Sequence, residues 1–224
     1  MVTAGVSGLS GLSGLVPNIS SELPGWWNDD GAISNKVYGA WAAVGASDYE
    51  ASLVDLSGYE RDLTEGVAPT WDAVNGWTGN GSSMYLRMPF PCTPTMLVLV
   101  RFSNCAANMA VAGVASWPNG ILLAPDYYGG FYGSFGDQSF YDAGNQQTTG
   151  LIAVSATGIW NGLSKSSWSG ATGMLEHNIA LLAAPDGNDT PAMLNSGRVL
   201  LAACFDPAPS DAEMQTIIAA AQAV

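Results

Sequence analysis

The chain of 224 residues carries 6 basic and 19 acidic side chains, so its formal net charge is −13. This charge argues against nucleic acid and anionic membrane surfaces as partners, because both carry negative charge themselves. Hydrophobic residues make up 48% of the chain, which is enough for a sizeable core in one large domain or two small ones.

The first 25 residues differ in composition from the rest. The tripeptide Ser-Gly-Leu occurs three times in tandem and places Leu9, Leu12 and Leu15 at every third position. Gly/Ser-rich segments commonly act as flexible arms, but the leucines would also give an arm something apolar to bury against a partner subunit. We predict an arm over residues 1–25 and one domain over residues 26–224, with both interpretations of the arm open.

Targeting segments are not evident. The first basic residue is Lys36, so the positively charged start of a secretory signal peptide is missing. No apolar run reaches the roughly 18 residues of a membrane-spanning helix. We therefore expect synthesis in the cytoplasm and no membrane insertion, unless a leader has been removed.

Short strands separated by Gly, Asn, Asp or Pro dominate the middle of the chain. We expect an early strand followed by an irregular or helical piece within residues 36–56, and a short strand from Asp62. Aromatic residues alternate with Gly and Ser over residues 127–140. Further strands are predicted at 83–90, 95–102, 109–116, 121–124, 151–156, 158–163 and 179–183. Strands at this spacing favour an all-β sandwich or barrel over βαβ units.

The end of the chain has the clearest local pattern. Residues 198–205 form an apolar run of strand length, which two prolines then interrupt. Ser210 stands three residues before Glu213, as in a capping box, and predicts a helix over residues 210–220. The apolar face of this helix is formed by Met214, Ile217, Ile218 and Ala221.

Five segments together resemble one fold family. They are DLSG at 55–58 with RDL at 61–63, WTGNGSSMYL at 77–86, TMLVLVRF at 95–102, WNG at 160–162 and FDPAPSDAEM at 205–214. Their order resembles the concanavalin A-like jelly roll in its laminin-G-like form, over about residues 36–218. The resemblance implies a two-sheet antiparallel jelly-roll sandwich with a short C-terminal helix, but not a function, because this fold hosts lectins, glycosidases and structural modules.

A second resemblance covers residues 38–86, where a Gly-Ala-Ser centre and paired Trp-Asp and Gly-Trp occur. This pattern is similar to that of proteins encoded by tailed bacteriophages. It implies a component of a phage particle.

Catalytic residues are not evident. Retaining glycosidases of the resembled fold carry an E-x-D-x-x-E triplet, because two carboxyl groups must lie about 5 Å apart, and no such triplet occurs here. The single histidine, His177, has no G-x-S-x-G elbow to accompany it. We expect a protein that is not an enzyme.

Metal and cofactor ligands are sparse too. Cys92, Cys105 and Cys204 are odd in number and form no C-x-x-C pair, which argues against a disulfide framework or a zinc site. Cys204 is expected to be a buried thiol inside the last strand. No cofactor is expected, with calcium as the alternative at residues 186–189 or 137–142.

Glycan binding would need exposed aromatic rings beside Asn or Asp. The strongest candidates are Trp117, Asn119, Asp126, Tyr127 and Tyr128. The next candidates are Tyr132, Trp160 and Trp168. The alternative is that these rings pack inside the sandwich or at a subunit interface.

Two functions of different classes follow. The first is a non-enzymatic surface protein of a phage virion, a capsid decoration or fibre-type component. Its arm would hold it to copies of itself or to a capsid or other scaffold protein. The second is a carbohydrate-binding module or adhesin of a cell-surface or secreted protein, which would be extracellular and would bind a cell-surface glycan.

Overall fold

The computed structural model describes residues 25, 27, 33, 35–114, 119–173, 177–186 and 190–224. The predicted assembly residues Leu9, Leu12 and Leu15 lie outside the described residues. Within the described part, the strands are β1 (Val37–Ala42), β2 (Thr64–Val67), β3 (Thr70–Asp72), β4 (Gly76–Thr78), β5 (Tyr85–Pro91), β6 (Leu97–Ser103), β7 (Ala112–Val114), β8 (Ile121–Tyr127), β9 (Gly130–Phe135), β10 (Gln138–Ala143), β11 (Gly150–Ser155), β12 (Gly158–Asn161), β13 (Ser164–Ser167), β14 (Asn178–Leu181) and β15 (Arg198–Phe205). The helices are α1 (Tyr49–Leu53) and α2 (Asp211–Ala223).

The strands form two antiparallel sheets. The first sheet has the order β13-β12-β11-β6-β15-β4-β3, with β1 paired to β15. The second has the order β10-β9-β8-β7-β14-β5-β2. The predicted two-sheet antiparallel jelly-roll sandwich with a C-terminal helix is confirmed.

The inner faces of the two sheets enclose the main core. Strand residues alternate between the two faces of a sheet, so every second side chain of β5, β6, β9 and β11 enters this space. The largest buried side chains there include Trp41, Trp77, Phe102, Phe131 and Phe135. The rings of these five residues fill much of the volume between the sheets.

The outer face of the first sheet is covered by α2. Met214, Ile217, Ile218 and Ala221 are fully buried against Leu97, Leu99, Leu151, Ala153, Leu201 and other residues of that face. All four belong to the predicted apolar face, which is confirmed. The helix ends at Ala223, three residues later than predicted, because the extra residues are mostly alanine, the strongest helix former.

The predicted capping box at the start of α2 is present. The Ser210 hydroxyl accepts a hydrogen bond from the Glu213 backbone N–H at 3.4 Å, and the Ser210 N–H donates to the Glu213 carboxylate at 2.6 Å. The same carboxylate accepts hydrogen bonds from the Lys36 ammonium at 2.7 and 2.8 Å. Glu213 therefore ties the helix to the residue that precedes β1.

A buried carboxylate supports the segment between α1 and β2. Asp55 accepts hydrogen bonds from the backbone N–H groups of Ala40, Ser57 and Arg61 and from the Ser57 hydroxyl. Asp62 in turn accepts from the Asp55 N–H at 2.8 Å. These bonds satisfy a charge that would otherwise be costly to bury. The DLSG and RDL segments thus have a structural role.

Three strands were not predicted from the sequence. β3 and β4 form a hairpin in a segment that is rich in turn formers and aromatic residues, and β13 has the polar sequence SKSS.

The three cysteines are free and buried, and the prediction of a buried Cys204 thiol is confirmed. Across the described ranges, neither helix is long and apolar enough to cross a membrane.

The contacts of Glu213 predict a pH-dependent contribution to stability. The hydrogen bond from Lys36, followed by those from Ser210, lowers the pKa of Glu213 from 4.5 to about 2. Because the pKa is lower in the folded state, the stabilisation is present above about pH 4.5 and is lost as pH falls towards 2. We expect Glu213→Gln to cost about 1 kcal/mol of unfolding free energy at pH 7 and almost nothing at pH 2.

Urea unfolding at a series of pH values measures this difference. Glu60→Gln is the matched control, because Glu60 is exposed and makes no hydrogen bond or ion pair within the described residues. A cost for Glu213→Gln that does not change between pH 7 and pH 2 would show that the carboxylate charge is not what stabilises the helix.

Candidate functional site

The hairpin between β8 and β9 has a strained turn. Its two central residues, Tyr128 and Gly129, have φ angles of 48° and 76°. Positive φ at both central positions is the geometry of a type I′ turn, where Asn-Gly is the usual sequence. A bulky aromatic residue in this region is unusual and costs on the order of 1–2 kcal/mol. Tyr128 is thus kept at this turn against its backbone preference.

The neighbouring loop holds this turn in place. The Tyr128 N–H donates to the Asn108 side-chain oxygen at 2.6 Å. The Asn108 N–H donates to the Asp126 carbonyl oxygen, also at 2.6 Å. Asn108 itself has a φ of 61°, which asparagine tolerates better than most residues. One asparagine therefore holds both the end of β8 and the first residue of the turn.

Four tyrosines meet at this end of the second sheet. The Tyr127 ring lies 4.6 Å from the Tyr128 ring in an edge-on arrangement and 5.1 Å from the Tyr132 ring. Tyr132 on β9 stands directly opposite Tyr141 on β10. The Tyr141 hydroxyl donates to the Tyr128 carbonyl oxygen at 2.9 Å. The four side chains line an open cleft of about 340 Å³, called the tyrosine cleft below.

Gly130 lets the Tyr141 ring pack directly against the backbone of β9, a contact called the Gly130 seat below. A Cβ atom at Gly130 would lie 2.5 Å from Tyr141 Cε2 and 2.7 Å from the Asp142 carbonyl oxygen. Only a glycine lets the Tyr141 ring lie this close to the β9 backbone. The bulge between Ala124 and Tyr127 in β8 also shifts the register at this end of the strand, and bulges commonly re-aim side chains.

The rings are accessible. Tyr128 is 74% exposed and Tyr141 is 47% exposed, while Tyr127 and Tyr132 are half-buried. Burial raises the pKa of the Tyr127 phenol, with smaller contributions from Tyr128 and Tyr132. The phenol therefore keeps its proton at neutral pH and can donate a hydrogen bond. The cleft combines apolar ring faces with hydroxyl groups, and no charged residue lines it within the described part of the chain.

The structure places the glycan-site candidates predicted from the sequence in different parts of the molecule. Tyr127 and Tyr128 lie in the cleft, whereas the half-buried Asp126 contributes its backbone carbonyl and does not line it. Asn119 precedes β8 at the other end of that strand, about 25 Å away along an extended chain. Trp117 lies outside the described residues.

The other aromatic candidates differ in their surroundings. Tyr132 lies in the cleft. Trp160 is buried under α2, and Trp168 packs against the main core, as the packing alternative proposed. Tyr141 was not among the candidates. It lies in the segment QSFYDA of β10, where half-buried and exposed residues alternate and Tyr141 is one of the exposed ones.

Neither calcium candidate forms a cation cage in the part of the chain that the structure describes. Asp137 accepts hydrogen bonds from the Thr172 N–H at 2.8 Å and the Thr172 hydroxyl at 2.9 Å, which lower its pKa. Asp186 accepts from the Thr190 N–H, and residues 187–189 lie outside the described ranges. No group of three or more His, Cys, Asp or Glu side chains there could hold a metal ion.

Comparisons with known proteins place the fold. No family model matches this sequence, and no curated protein is significantly similar to it. A mutant of Trypanosoma rangeli sialidase displaying trans-sialidase activity superimposes with a TM-score of 0.59 and 10% identity, over 84% of this chain and 33% of the sialidase chain.

A second solved structure is the botulinum neurotoxin serotype D ligand binding domain in complex with N-acetylneuraminic acid. It superimposes with a TM-score of 0.56 and 11% identity, over 84% of this chain and 52% of that one. The chain thus spans about a third of the sialidase and about half of the neurotoxin chain. At these identities the likeness establishes a shared β-sandwich fold.

The seat of Tyr141 on Gly130 can be tested by substitution. Gly130→Ala should lower the unfolding free energy by about 1–3 kcal/mol, because the new methyl group collides with the Tyr141 ring and with backbone. It should also shift the NMR resonances of the Tyr141 ring. Gly129→Ala is the control, since its φ of 76° strains the backbone but no atom lies within 4 Å of the added Cβ. Equal Tyr141 shifts in both variants would contradict the assignment.

Proposed function

We propose that the protein is a non-enzymatic carbohydrate-binding domain and that its glycan lies across the tyrosine cleft. The observation that carries this proposal is Tyr128, a largely exposed aromatic ring held at a φ of 48°. Strained residues that the surrounding structure over-determines cluster at binding sites. A turn selected for stability alone would have Asn or Gly at this position.

The chemistry of the cleft suits a sugar. Tyrosine offers an apolar ring face to the C–H face of a pyranose and a hydroxyl group to its oxygens. The four rings are pre-positioned by the Asn108 contact, the Tyr141 hydrogen bond and the Gly130 seat, so little side-chain entropy is lost on binding. The open form of the cleft favours a glycan lying along the surface over a ligand that is enclosed.

Binding without hydrolysis is part of the same proposal. Among the residues that the structure describes, no carboxylate lines the cleft, and glycoside hydrolysis usually needs two of them on either side of the scissile bond. The structural likeness to a domain solved with N-acetylneuraminic acid supports carbohydrate binding as the class of function. The sialidase likeness covers a third of that chain and carries no activity over to this one.

The biological setting is a further part of the proposal. We propose that the domain is displayed on a phage particle, and that residues 1–25 attach it to copies of itself or to a capsid or other scaffold protein. The Ser-Gly-Leu repeats support this, because Leu9, Leu12 and Leu15 need an apolar partner within reach of a short arm. The alternative setting is an extracellular adhesin with the same cleft.

The role of the cleft is tested with Tyr128→Asn. We expect binding to a responsive glycan, identified on an array of bacterial and host polysaccharides, to weaken at least about tenfold, since aromatic anchors dominate such sites. The unfolding free energy should stay within about 1 kcal/mol of the original protein, because relief of the positive φ offsets the lost ring contact.

The matched control is Tyr59→Asn. Tyr59 is 53% exposed and lies in the loop before β2, the strand at the opposite edge of the same sheet. Titration calorimetry with the glycan and urea unfolding give the two quantities. If Tyr128→Asn and Tyr59→Asn bind equally well, the tyrosine cleft is not the glycan site.

The arm is tested by deleting residues 2–16. The truncated protein should fold with an unchanged unfolding midpoint and should no longer assemble or attach to its particle. Replacing Leu9, Leu12 and Leu15 by Ser should have the same effect at full length, whereas replacing Ser7, Ser10 and Ser13 by Ala should not. Light scattering and co-sedimentation with particles measure this. Full assembly of the truncated protein would overturn the role of the arm.

A further inference from the structure

A second concave site lies at the open edge of the sandwich. The edge strands β13 and β10 stand on the same side of the molecule, and the two sheets leave a pocket of about 250 Å³ between them. The loop between β10 and β11 closes one side. This pocket, called the edge pocket below, is on the inner face of β10, while the tyrosine cleft is on the outer face.

Alternation along the strands assigns side chains to the pocket. On β10, Asp142 points inward and its neighbour Tyr141 points outward. On β13, Ser164 and Ser166 point inward, whereas Lys165 points to the outer face. The polar lining comes from four segments and consists of Asp142, Asn145, Gln147, Asn161, Ser164 and Ser166.

The amide groups of this lining are held in place. Asn145 donates from its side-chain amide to Asp142 Oδ2 at 2.8 Å, and Gln147 donates from its amide to Asn161 Oδ1 at 2.7 Å. The Gln147 backbone N–H is fixed by the Pro125 carbonyl oxygen at 2.9 Å. Two pairs of polar side chains therefore keep a set orientation before any ligand arrives.

Much of the hydrogen-bonding capacity of the pocket is unused. Within the described residues, Asp142 Oδ1 accepts no hydrogen bond, and the hydroxyls of Ser164 and Ser166 neither donate nor accept one. A carboxylate oxygen, hydroxyl groups and amides at short spacing are the partners that neighbouring hydroxyls of a polyol need, as both donors and acceptors.

The floor of the pocket is apolar. Phe131 and Phe140 meet edge-on with 6.4 Å between ring centroids, and Ile159 lies beside them. Ile159 reaches the opposite sheet because Gly133 has no side chain, since a Cβ there would be 2.0 Å from Ile159 Cδ1. Phe131 and Ile159 are buried beneath the pocket, so the half-buried Phe140 is the ring of this group that a ligand can reach.

The charge of the pocket is negative. Asp142 is the one charged residue among the described residues of its lining. The basic residue of β13, Lys165, lies on the outer face, 2.6 Å from Asp211 and 4.5 Å from the Trp160 ring. The whole chain carries a net charge of −13. An anionic ligand would find no cation here and would be repelled by Asp142.

We propose that the edge pocket binds one residue of a neutral saccharide, with Asp142 accepting hydrogen bonds from two adjacent hydroxyls and the half-buried Phe140 ring against the apolar face of the sugar. The pocket excludes acidic sugars such as N-acetylneuraminic acid. Its volume lies just below the roughly 300 Å³ at which pockets for drug-sized ligands begin, which suits a single ring. This site is separate from the tyrosine cleft and does not depend on the role proposed for it.

The probes are glucose, galactose, mannose and N-acetylglucosamine, with N-acetylneuraminic acid as the anionic comparison. Each is titrated into the full chain labelled with ¹⁵N, and amide shifts are followed by NMR. We expect at least one neutral sugar to shift residues of β10, β12 and β13, and N-acetylneuraminic acid to shift none of them. Asp142→Asn should weaken the neutral sugar by about 10- to 100-fold, because hydrogen bonds to a charged acceptor are the strong ones.

A second variant tests the pocket independently, in case Asp142→Asn disturbs the local fold. Ser166→Leu fills the pocket from β13 without touching Asp142 or Asn145, and should abolish binding. Glu60→Gln removes the same charge at an exposed site elsewhere and should leave the affinity unchanged. Tyr59→Asn, at an exposed position near the opposite edge of the second sheet, should also leave it unchanged.

Three results would overturn the proposal. The first is that none of the four neutral sugars shifts the pocket at millimolar concentration. The second is that the neutral sugar binds Ser166→Leu as well as it binds the original protein. The third is that N-acetylneuraminic acid binds the pocket as tightly as the neutral sugars do.

Discussion

The structure depends on strand β15 having a hydrogen-bonded neighbour along each of its edges. β6 pairs with it from Arg198 to Phe205 on one side, while β4 and β1 share the other side. Backbone groups in a buried strand must be paired, because leaving one unpaired costs about as much as a lost hydrogen bond. Pairing with β6 on one edge and with β1 and β4 on the other therefore satisfies the backbone of the last strand.

This arrangement explains why α2 lies where it does. The chain leaves β15 and enters the helix within a few residues, so the helix has to fold back over the sheet that contains β15. The Lys36–Glu213 ion pair and the Ser210 cap hold the start of α2 against the sheet. Both lie where the start of β1 meets the start of the helix. The outer face of the first sheet is thus covered, and within the described residues no helix covers the outer face of the second.

The two candidate sites follow from this asymmetry. The uncovered face of the second sheet can present exposed rings, and the tyrosine cleft lies there. The edge pocket exists because β10 and β13 end their sheets on the same side without a strand to bridge them. β10 contributes to both, with Tyr141 on one face and Asp142 on the other, so a single edge strand separates an apolar, uncharged surface from a polar, acidic one.

The sequence predicted the elements whose signal is local. The bounds of β15 agree with the apolar run at 198–205, and the capping box was visible from Ser210 and Glu213 alone. β13 was missed because its sequence SKSS has no apolar face: Ser164 and Ser166 line a polar pocket and Lys165 forms an ion pair. Three of the four tyrosines of the cleft, Tyr127, Tyr128 and Tyr132, were candidates from the sequence, whereas Tyr141 joins them only through the register of β9 with β10. The edge pocket had no local motif, because its polar groups come from four separate segments.

The negative charge of the chain limits what can be concluded about its ligands from proteins that share its fold. A shared fold with a domain that holds N-acetylneuraminic acid fixes the course of the backbone and not the charge of the surface. Here the net charge is −13, the described residues that line the tyrosine cleft include no basic one, and the edge pocket contains a carboxylate. An acidic sugar would meet repulsion from the whole molecule and gain no local ion pair. The lining of both candidate sites therefore gives an acidic ligand no partner of opposite charge, and any ligand specificity of this chain has to be derived from its own residues.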